Sequence, residues 1–381
     1  MVYRLSSIHN FLITMTKLIF CTLLLLTFGT VWAQTDPVSS VALQLNPGDD
    51  NPRNSEGDFI TLKDGRILFV YSHYTGGSTS DHAPAHLAGR FSKDGGKTWT
   101  DQDQLIVARE GDMNVMSVSL LRLQNGKIAL FYLKKNSEQD CIPQMRISTD
   151  EAKTWSAPMP CITDKAGYFV LNNNRVIQLK NGRLLMAVAQ HQSPGGKWQN
   201  QATLFSYFSD DNGATWKSSP AVPNPENVLT QEPGVIELKD GRVMMIIRAG
   251  GGFQQLSYSS DKGQTWSPIE PSTLHSPVSP ATIARIPSTG DLLVVWNNND
   301  GSNPEIRNAR TPLTVAISKD EGKTWQHIRN IESDPQGWYC YIAIHFVKKD
   351  VLLSYCAGNR IQKNHLSITR INRLNLAKLY Q

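Results

Sequence analysis

Eight residues, Ser92-Lys93-Asp94-Gly95-Gly96-Lys97-Thr98-Trp99, carry a pattern that the chain repeats four more times. The pattern is Ser-x-Asp-x-Gly-x-Thr-Trp, and we call each copy a box. The other four boxes begin at Ser148, Ser209, Ser259 and Ser318, and Ala152 takes the place of the glycine in the second. Self-similarity at a nearly regular interval indicates a chain built from similar structural units that pack on one another.

Each position of the box has a physical role. The Asp and Ser side chains stabilise a turn by hydrogen bonds to nearby backbone groups, and glycine supplies a positive φ angle. Thr resumes a strand, and we expect the Trp to be largely buried between neighbouring units. One fixed carboxylate per box is too few for calcium, which takes about six or more oxygen ligands. No zinc-type spacing of Cys or His occurs, so we predict no metal and no cofactor.

A second repeat alternates with the boxes. It consists of an apolar run, a tight turn that contains glycine in most copies, and another apolar run, as expected of a β-hairpin. The copies span residues 59–71, 120–132, 176–188 and 235–247, with looser ones at 283–296 and 342–355. Six hairpins and five boxes predict an all-β fold, a six-bladed β-propeller with its boxes on outer turns and the last strand of the sixth blade supplied by a terminus. A two-sheet sandwich is the alternative.

The N-terminus has the layout of a secretory signal peptide. Lys17 precedes an apolar run at residues 18–28, and Val31-Trp32-Ala33 offers a cleavage site. We therefore expect a signal peptide at residues 1–33, a single propeller domain at 34–381, and a secreted or periplasmic protein. The alternative is a membrane anchor, but the run is short for a bilayer, so we predict no stable membrane insertion after cleavage.

Charge argues against a nucleic-acid partner. The chain has 38 Lys and Arg against 33 Asp and Glu, and removing Arg4 and Lys17 with the leader leaves 36 − 33 = +3. These charges are interspersed rather than clustered in a basic patch.

Four cysteines follow the leader, and in an oxidising compartment they could form two bridges. They are Cys141, Cys161, Cys340 and Cys356. Cys340 and Cys356 flank a predicted turn and would face each other across two strands. The alternative for each pair is two buried free thiols.

Over about residues 50–360 the five boxes resemble the sialidase (neuraminidase) superfamily, which implies a propeller and an exo-acting glycosidase. Boxes also occur in propellers that only bind, so activity must be argued from other residues. The segment 231–241, running on to Arg248, resembles the family segment with the catalytic glutamate and the second arginine of the carboxylate-binding triad. The resemblance thus implies roles for Glu232 and Arg248. The segment 310–318 resembles the stretch with the third arginine, which implies Arg310, with Arg307 as a near neighbour.

Two further segments complete the resemblance. The segment 338–343 resembles the stretch with the nucleophile, which implies Tyr339, with Tyr341 as the alternative. The segment 81–86 resembles an Asp-Ala-Pro loop and implies Asp81 as general acid, which His82 or His86 could tune or replace. A neutral tyrosine suits a sugar whose anomeric carbon carries a carboxylate, because a carboxylate nucleophile would be repelled. We expect the Tyr339 hydroxyl to lie within hydrogen-bond reach of Glu232. We also expect Arg248 and Arg310 to stand side by side, with no protein carboxylate that neutralises both and an acidic sugar bound between them.

The first blade departs from the family pattern. Sialidases begin it with Arg-Ile-Pro, whereas Ser55 stands at the arginine position here, and Arg53 lies two residues earlier on the same side of an extended chain. Glu56 and Asp58 add negative charge nearby. Further polar candidates from the third blade are Arg175 and His191.

Three interpretations therefore remain: an exo-sialidase that acts on glycans with a terminal acidic sugar, a related hydrolase of another sugar, and a glycan-binding propeller without turnover. The family-like spacing of Glu232, Arg248, Arg310 and Tyr339 argues against the third.

Overall fold

A computed structural model describes residues 38–381, so the predicted signal peptide at residues 1–33 lies outside the described residues. The described part contains 25 strands and one short helix. In chain order these are β1 (Ser39–Leu45), β2 (Asn54–Thr61), β3 (Ile67–Tyr74), β4 (Ala85–Ser92), β5 (Gln104–Val107), β6 (Asn114–Arg122), β7 (Ile128–Ser137), β8 (Asp140–Ser148), β9 (Met159–Pro160), β10 (Tyr168–Val170), β11 (Val176–Gln178), β12 (Leu184–Gln192), β13 (Thr203–Ser209), β14 (Lys217–Ser218), β15 (Thr230–Glu237), β16 (Val243–Ala249), β17 (Phe253–Ser259), β18 (Glu270–His275), β19 (Thr282–Arg285), β20 (Leu292–Trp296), β21 (Leu313–Ser318), β22 (Gln326–Glu332), β23 (Gly337–Val347), β24 (Asp350–Asn359), β25 (Thr369–Asn375) and α1 (Leu376–Leu379).

The strands form six antiparallel groups. The first, fourth and fifth are four-stranded sheets in chain order, namely β2–β5, β15–β18 and β19–β22. The sixth has the order β23-β24-β25-β1, so the N-terminal strand completes the sheet begun by the C-terminal strands, as predicted. The second and third groups, β6–β9 and β10–β14, share one nine-stranded sheet because a parallel pair, Tyr168 with Cys141, joins them. There are therefore five hydrogen-bonded sheets in the described residues.

One strand of each group, the first strand except in the third group, adjoins the corresponding strand of the next group in chain order. Contacts run from β2 to β6, β11, β15, β19 and β23, and from β23 back to β2. The apolar core lies mainly between groups: Leu68 and Val70 of the first group, for example, pack with Leu130 and Tyr132 of the second, and all four are fully buried. Apolar burial between neighbouring groups thus holds the sheets together. In residues 38–381 no helix is long and apolar enough to cross a membrane.

Every box occupies the turn between the last two strands of its group. In the first, Ser92 Oγ accepts from Gly96 N at 2.8 Å, and the Asp94 carboxylate accepts from Thr98 N at 2.9 Å and Thr98 Oγ1 at 2.6 Å. The corresponding bonds recur in the other four boxes. The predicted positive φ is also present, at +83° for Gly96 and +63° for Ala152.

The box tryptophans are largely buried, as predicted. Trp266 is buried, with 8% of its surface exposed, and its Nε1 donates to Ser206 Oγ of the third group at 2.9 Å. The other four, at positions 99, 155, 216 and 325, keep a smaller part of their surface exposed than buried and pack against the apolar clusters. The prediction is therefore confirmed for all five boxes, with Trp266 the most buried.

Candidate active site

The first strands of four groups carry a β-bulge, and each bulge directs a side chain into one cavity of about 420 Å³. The register shifts between Ser55 and Asp58, Met116 and Ser119, Thr230 and Pro233, and Cys340 and Ala343. The cavity-facing residues within these bulges are Glu56, Ser117, Glu232 and Tyr341. Three of the four have positive φ, between +56° and +59°. A left-handed non-glycine residue costs about 1–2 kcal/mol, and such strain clusters at functional sites.

All six groups contribute to the wall of this cavity, and much of its lining is charged. The charged residues are Glu56, Asp81, Lys135, Glu232, Arg248 and Arg310. Four of the five residues that the sequence predicted to converge do so: Asp81, Glu232, Arg248 and Arg310. The fifth, Tyr339, does not line the cavity.

The two tyrosines of β23 have different surroundings. Tyr339 is 4% exposed and belongs to the apolar cluster with Leu353 and Tyr355, whose ring it meets edge-on at 6.2 Å. Tyr341 lies in the bulge, with φ +56°, and faces the cavity. The prediction that Tyr339 enters the site is wrong, because the bulge after Cys340 changes which residue of the strand faces inward.

Glu232 and Arg248 form a buried ion pair. Arg248 Nη1 donates to both carboxylate oxygens, at 2.8 and 2.6 Å, whereas its Nε has no partner in the described residues. Burial would raise the pKa of Glu232, but Arg248 outweighs it and holds that pKa below its ordinary value. Within residues 38–381 the carboxylate is thus bonded by arginine, and the predicted hydrogen bond from a tyrosine hydroxyl is absent. Glu232 thus pairs with Arg248, but no carboxylate of the described residues forms an ion pair with both Arg248 and Arg310.

Arg310 differs from Arg248 in having no carboxylate partner in the described part of the chain. It is 8% exposed, and its guanidinium lies 5.0 Å from the Trp338 ring centroid and 5.5 Å from that of Tyr341. On its buried side it contacts the Cys340 thiol. Burial opposes ionisation of that thiol, but hydrogen bonding to Cys356 and the charge of Arg310 lower the pKa of Cys340 to about 7.

Arg53 does not line the cavity and is 1% exposed. Its Nη1 donates to Asp81 at 2.5 Å and its Nη2 to Glu56 at 3.3 Å, and its guanidinium lies over the Tyr74 ring. Burial raises the pKa of Glu56, whereas for Asp81 the Arg53 charge overcomes the effect of burial and lowers it. Arg53, the predicted replacement for the missing first arginine, is therefore already bonded to two carboxylates of the protein.

Lys135 is the charged residue that sequence reasoning missed. It is 1% exposed, its Nζ donates to the Asp81 carbonyl at 2.7 Å, and it lies over the Tyr168 ring. A signal existed, because Lys134 and Lys135 end the apolar run 128–133 just as Arg248 ends the run 243–247. A buried cation at the end of an apolar strand requires an anionic or carbonyl partner.

The remaining candidates take three different positions. Arg175 packs beneath the site, where a Cβ on Gly234 would approach its Nη1 to 2.2 Å; burial lowers its pKa to about 10, and it does not line the cavity. His191 lines the cavity, and its Nδ1 bonds to the Gln199 carbonyl at 2.8 Å. His82 lines a neighbouring cavity together with Asp81.

The four cysteines within residues 38–381 are buried free thiols in this structure. Cys340 and Cys356 are direct partners across β23 and β24, as the sequence predicted. Among the described residues no three His, Cys, Asp or Glu side chains gather in a way that could hold a metal ion.

Comparison with known proteins places this geometry in a family. The family model described as a BNR repeat-like domain matches residues 90–353. Similar curated proteins include a sialidase of Paraclostridium sordellii, 28% identical over 58% of this chain and 58% of its own length. Another is a sialidase of Micromonospora viridifaciens, 27% identical over 71% of this chain and 43% of its own length. The chain spans between 37% and 58% of the length of the first three such relatives.

Solved structures resemble the fold at lower identity. A Dyadobacter fermentans protein of unknown function has a TM-score of 0.70 at 21% identity, over 89% of this chain and all of its own. The intramolecular trans-sialidase of Ruminococcus gnavus has a TM-score of 0.69 at 16% identity, over 90% of this chain and 98% of its own. Since the family model covers most of the chain, this protein belongs to the BNR repeat-like domain family of the sialidase superfamily.

Proposed function

We propose that this protein is a retaining exo-glycosidase of the sialidase type, which releases a terminal acidic sugar from glycans. The observation that carries the proposal is Arg310, a buried cation that faces the cavity without a carboxylate partner in the described residues. A buried arginine in a water-poor pocket favours an anion, and its planar fork suits a carboxylate. We also propose that the six strand groups are the blades of a propeller formed by residues 34–381; the ring of contacts through β2, β6, β11, β15, β19 and β23 supports this.

Tyr341 is the proposed nucleophile, with Glu232 as its base. A carboxylate nucleophile would be repelled by an acidic sugar's own carboxylate at the anomeric carbon, whereas a neutral hydroxyl would not. Burial and the Glu232 charge both raise the pKa of Tyr341, so the hydroxyl keeps its proton until a base removes it. Both residues lie in bulges that face the cavity.

The ion pair between Glu232 and Arg248 gives substrate binding a role in activation. While Arg248 is bonded to Glu232, the carboxylate is a weak base. A substrate carboxylate beside Arg310 would compete for Arg248, which keeps an unused Nε. Glu232 would then regain basicity as the sugar is bound, and it would accept the Tyr341 proton as the tyrosine attacks.

Asp81 is the proposed general acid, because its side chain is about half exposed at the edge of the cavity, with a relative exposure of 56%. It protonates the leaving oxygen and then acts as base for the attacking water. Arg53 lowers the pKa of Asp81, whereas burial raises the pKa of the neighbouring Glu56. The proposed enzyme is therefore most active at acidic pH, where Asp81 is more often protonated.

A hydrolase of a less acidic sugar is the second candidate. Arg53, which would supply the first arginine of the triad, is neutralised by Asp81 and Glu56. Only Arg310 and part of Arg248 remain for a substrate anion, and Glu56 adds a carboxylate to the lining. This charge distribution favours a sugar that needs fewer cationic contacts.

A panel of chromogenic sialyl, uronyl and neutral glycosides tests the proposal. We expect cleavage of an acidic member and at least a 100-fold loss of kcat/KM for Arg310→Ala on that member. Arg310→Lys should recover part of the loss. Arg307→Ala, an exposed arginine in the same loop, is the matched control and should behave as the unmodified protein. Cleavage of neutral glycosides alone would rule out the acidic substrate and support the second candidate.

Export is a separate proposal that rests on the sequence alone. A cleaved leader at residues 1–33 would leave Gln34 as the first residue of a secreted or periplasmic protein. N-terminal sequencing of protein from the culture medium and the cell envelope tests it, and a retained Met1 or Met15 in both fractions would contradict it.

A further inference from the structure

The loop that carries Asp81 joins β3 to β4, and its residues 76–81 are exposed to solvent. An exposed loop of this kind has little apolar packing of its own to fix its position. On its inner side, however, three buried side chains from outside the loop bond to it, namely Arg53, Asn114 and Lys135. The position of the proposed general acid therefore depends on these three side chains.

Asn114 and Lys135 converge on one backbone oxygen of this loop. They stand directly opposite each other in the pair of β6 and β7, and they are 0% and 1% exposed. Lys135 Nζ donates to the Asp81 carbonyl oxygen at 2.7 Å, and Asn114 Nδ2 donates to the same oxygen at 2.9 Å. Asn114 Nδ2 also donates to the Ala83 carbonyl at 2.8 Å. Two donors on paired strands thus hold the backbone of residue 81, whose carbonyl oxygen can accept both bonds.

The ammonium group of Lys135 is buried without a carboxylate partner in the described residues. A buried charge is costly unless it is paired and hydrogen-bonded. No carboxylate oxygen of residues 38–381 lies within ion-pair distance of Lys135 Nζ, whose other contacts are Met116 Sδ at 3.5 Å and the Tyr168 ring, with its centroid at 5.3 Å. The charge is therefore directed at the loop carbonyl. A hydrogen bond from a charged donor is stronger than one between neutral groups, so lysine holds this loop more firmly than an uncharged donor would.

We propose that Lys135 is a positioning residue that acts on the reaction through Asp81. Together with Asn114 it fixes the backbone of residue 81, and thereby the place at the cavity edge from which the Asp81 carboxyl group reaches the leaving oxygen. Displacement of a reacting group by about 1 Å can lower a rate about 100-fold, so a firm hold on this loop matters for proton transfer. The role in catalysis rests on the proposed function, whereas the fixing of the loop does not.

The charge of Lys135 also acts on the proton of Asp81. Burial raises the pKa of Asp81, but the charges of Arg53 and Lys135 hold it below its ordinary value. Lys135→Met should therefore raise this pKa and move the alkaline limb of kcat/KM, which reports loss of the acid's proton, to higher pH. Asn114→Ala removes a neutral donor and should not move the limb. The charged and titratable groups that face Asp81 are Arg53, Glu56, Tyr74, His82, Lys135 and Tyr168.

Two glycosides with the same terminal acidic sugar, one with a methyl and one with an activated aryl leaving group, test the role in catalysis. We expect Lys135→Met to lower kcat/KM about 30-fold or more on the methyl glycoside and less than about 3-fold on the aryl glycoside, because only the methyl alcohol needs a proton to leave. Lys135→Gln keeps an uncharged donor, so it should show the same dependence with a smaller loss, and it replaces Lys135→Met if that variant does not fold.

Lys134→Met is the matched control, because the next residue of β7 points to the opposite face of the strand and is less buried. It should behave as the unmodified protein on both glycosides. An equal loss on both glycosides for Lys135→Met, with an unmoved alkaline limb, would mean that Lys135 binds the sugar itself and would overturn the positioning role.

Hydrogen exchange, measured by mass spectrometry on peptides that cover residues 75–83, tests the fixing of the loop without requiring turnover. The amides of Thr75 and Ala83 report on the loop, because each bonds to a carbonyl within the segment between β3 and β4. We expect them to exchange about 10-fold faster or more in Lys135→Met and at an unchanged rate in Lys134→Met. An unchanged rate in Lys135→Met would overturn the proposal. If the unmodified protein cleaves neither glycoside but exchange rises in Lys135→Met, the proposed enzyme function fails and the fixing of the loop stands.

Discussion

The box turns and the cavity bulges both place residues in the left-handed backbone region, but they stabilise it in different ways. In a box, the compensating hydrogen bonds come from residues within the same eight positions, as with Ser92 and Asp94. In a bulge, they come from other groups of strands. Ser117 Oγ donates to Glu56 Oε2 at 2.8 Å, and Asn173 Nδ2 donates to the Tyr341 carbonyl at 3.1 Å. The strained residues of the boxes are thus stabilised locally and belong to the repeated scaffold. The strained residues of the bulges are stabilised by residues far away in the chain and lie at the candidate active site.

The largest expected effect is the difference in kcat between variants of the bulge residue Tyr341 and of its neighbour Tyr339. Tyr341→Phe removes the proposed nucleophile and should lower kcat at least 1,000-fold on an acidic glycoside, in line with the loss expected when a covalent catalyst is removed. Tyr339→Phe, in the apolar cluster, should change kcat less than about 3-fold. The opposite ranking would return the nucleophile to Tyr339 and remove the functional meaning of the bulge.

The next effect is the difference in leaving-group dependence between variants of Glu56, a bulge residue, and of Asp81, a loop residue. We expect Asp81→Asn to lower kcat about 100-fold or more on a substrate with a poor leaving group, and far less on an activated aryl glycoside, because an activated group leaves without a proton. Glu56→Gln should shift the pH profile, since Glu56 and Asp81 share Arg53 as a partner and the change removes one of the two carboxylates. If Glu56→Gln shows the leaving-group dependence and Asp81→Asn does not, Glu56 is the acid.

A third effect concerns the pH dependence of stability. Burial raises the pKa of Asp58 to about 7, although Leu120 N, Phe59 N and Asn174 donate to its carboxylate. The folded state therefore holds a proton that the unfolded state has lost above about pH 4. Stability should fall between pH 4 and 7 by on the order of 1 kcal/mol per pH unit from this residue.

Urea unfolding of the protein and of Asp58→Asn at pH 5 and pH 8 measures that effect. The difference in unfolding free energy between the two pH values should shrink in the variant. Asp94 is the counterpart in a box: hydrogen bonds from Thr98 and Ser92 outweigh desolvation and lower its pKa to about 2, so its contribution is lost only as the pH falls toward 2. An unchanged difference in Asp58→Asn would show that Asp58 is ionised at both pH values.

The smallest effect compares two boxes. Gly96 and Gly322 both have positive φ, at +83° and +88°. A Cβ on Gly96 would lie 2.5 Å from Leu352, whereas one on Gly322 would lie 3.5 Å from Met244, an ordinary contact. We expect Gly322→Ala to cost about 1 kcal/mol from backbone strain. Gly96→Ala adds overpacking and should cost about 2–4 kcal/mol. Thermal unfolding gives both values, and equal losses would mean that Leu352 moves aside.

Lys135 and Trp198 show the limit of sequence reasoning about the site. Trp198, which also lines the cavity, lies in a loop between β12 and β13 with no repeat around it, and its position depends on His191 and Tyr168, which contact the ring. The family-like segments placed Glu232, Arg248, Arg310 and Asp81 at the cavity. They did not indicate that Arg248 is bonded to Glu232, or that Arg53 is held by Asp81 and Glu56.

The boxes, the hairpins and the order of the strands could be read from the amino-acid order alone, because each depends on groups a few residues apart: the Ser and Asp side chains of a box, or the alternation across a tight turn. The amino-acid order alone could not show that Tyr341, rather than Tyr339, faces the cavity. That outcome depends on one extra residue in a bulge, which reverses the facing of every later side chain on β23. The amino-acid order also could not show which charged residues of the cavity are paired and buried, since ion pairing and burial are set by partners far away in the chain. Only packing of all six strand groups brings those partners within contact distance.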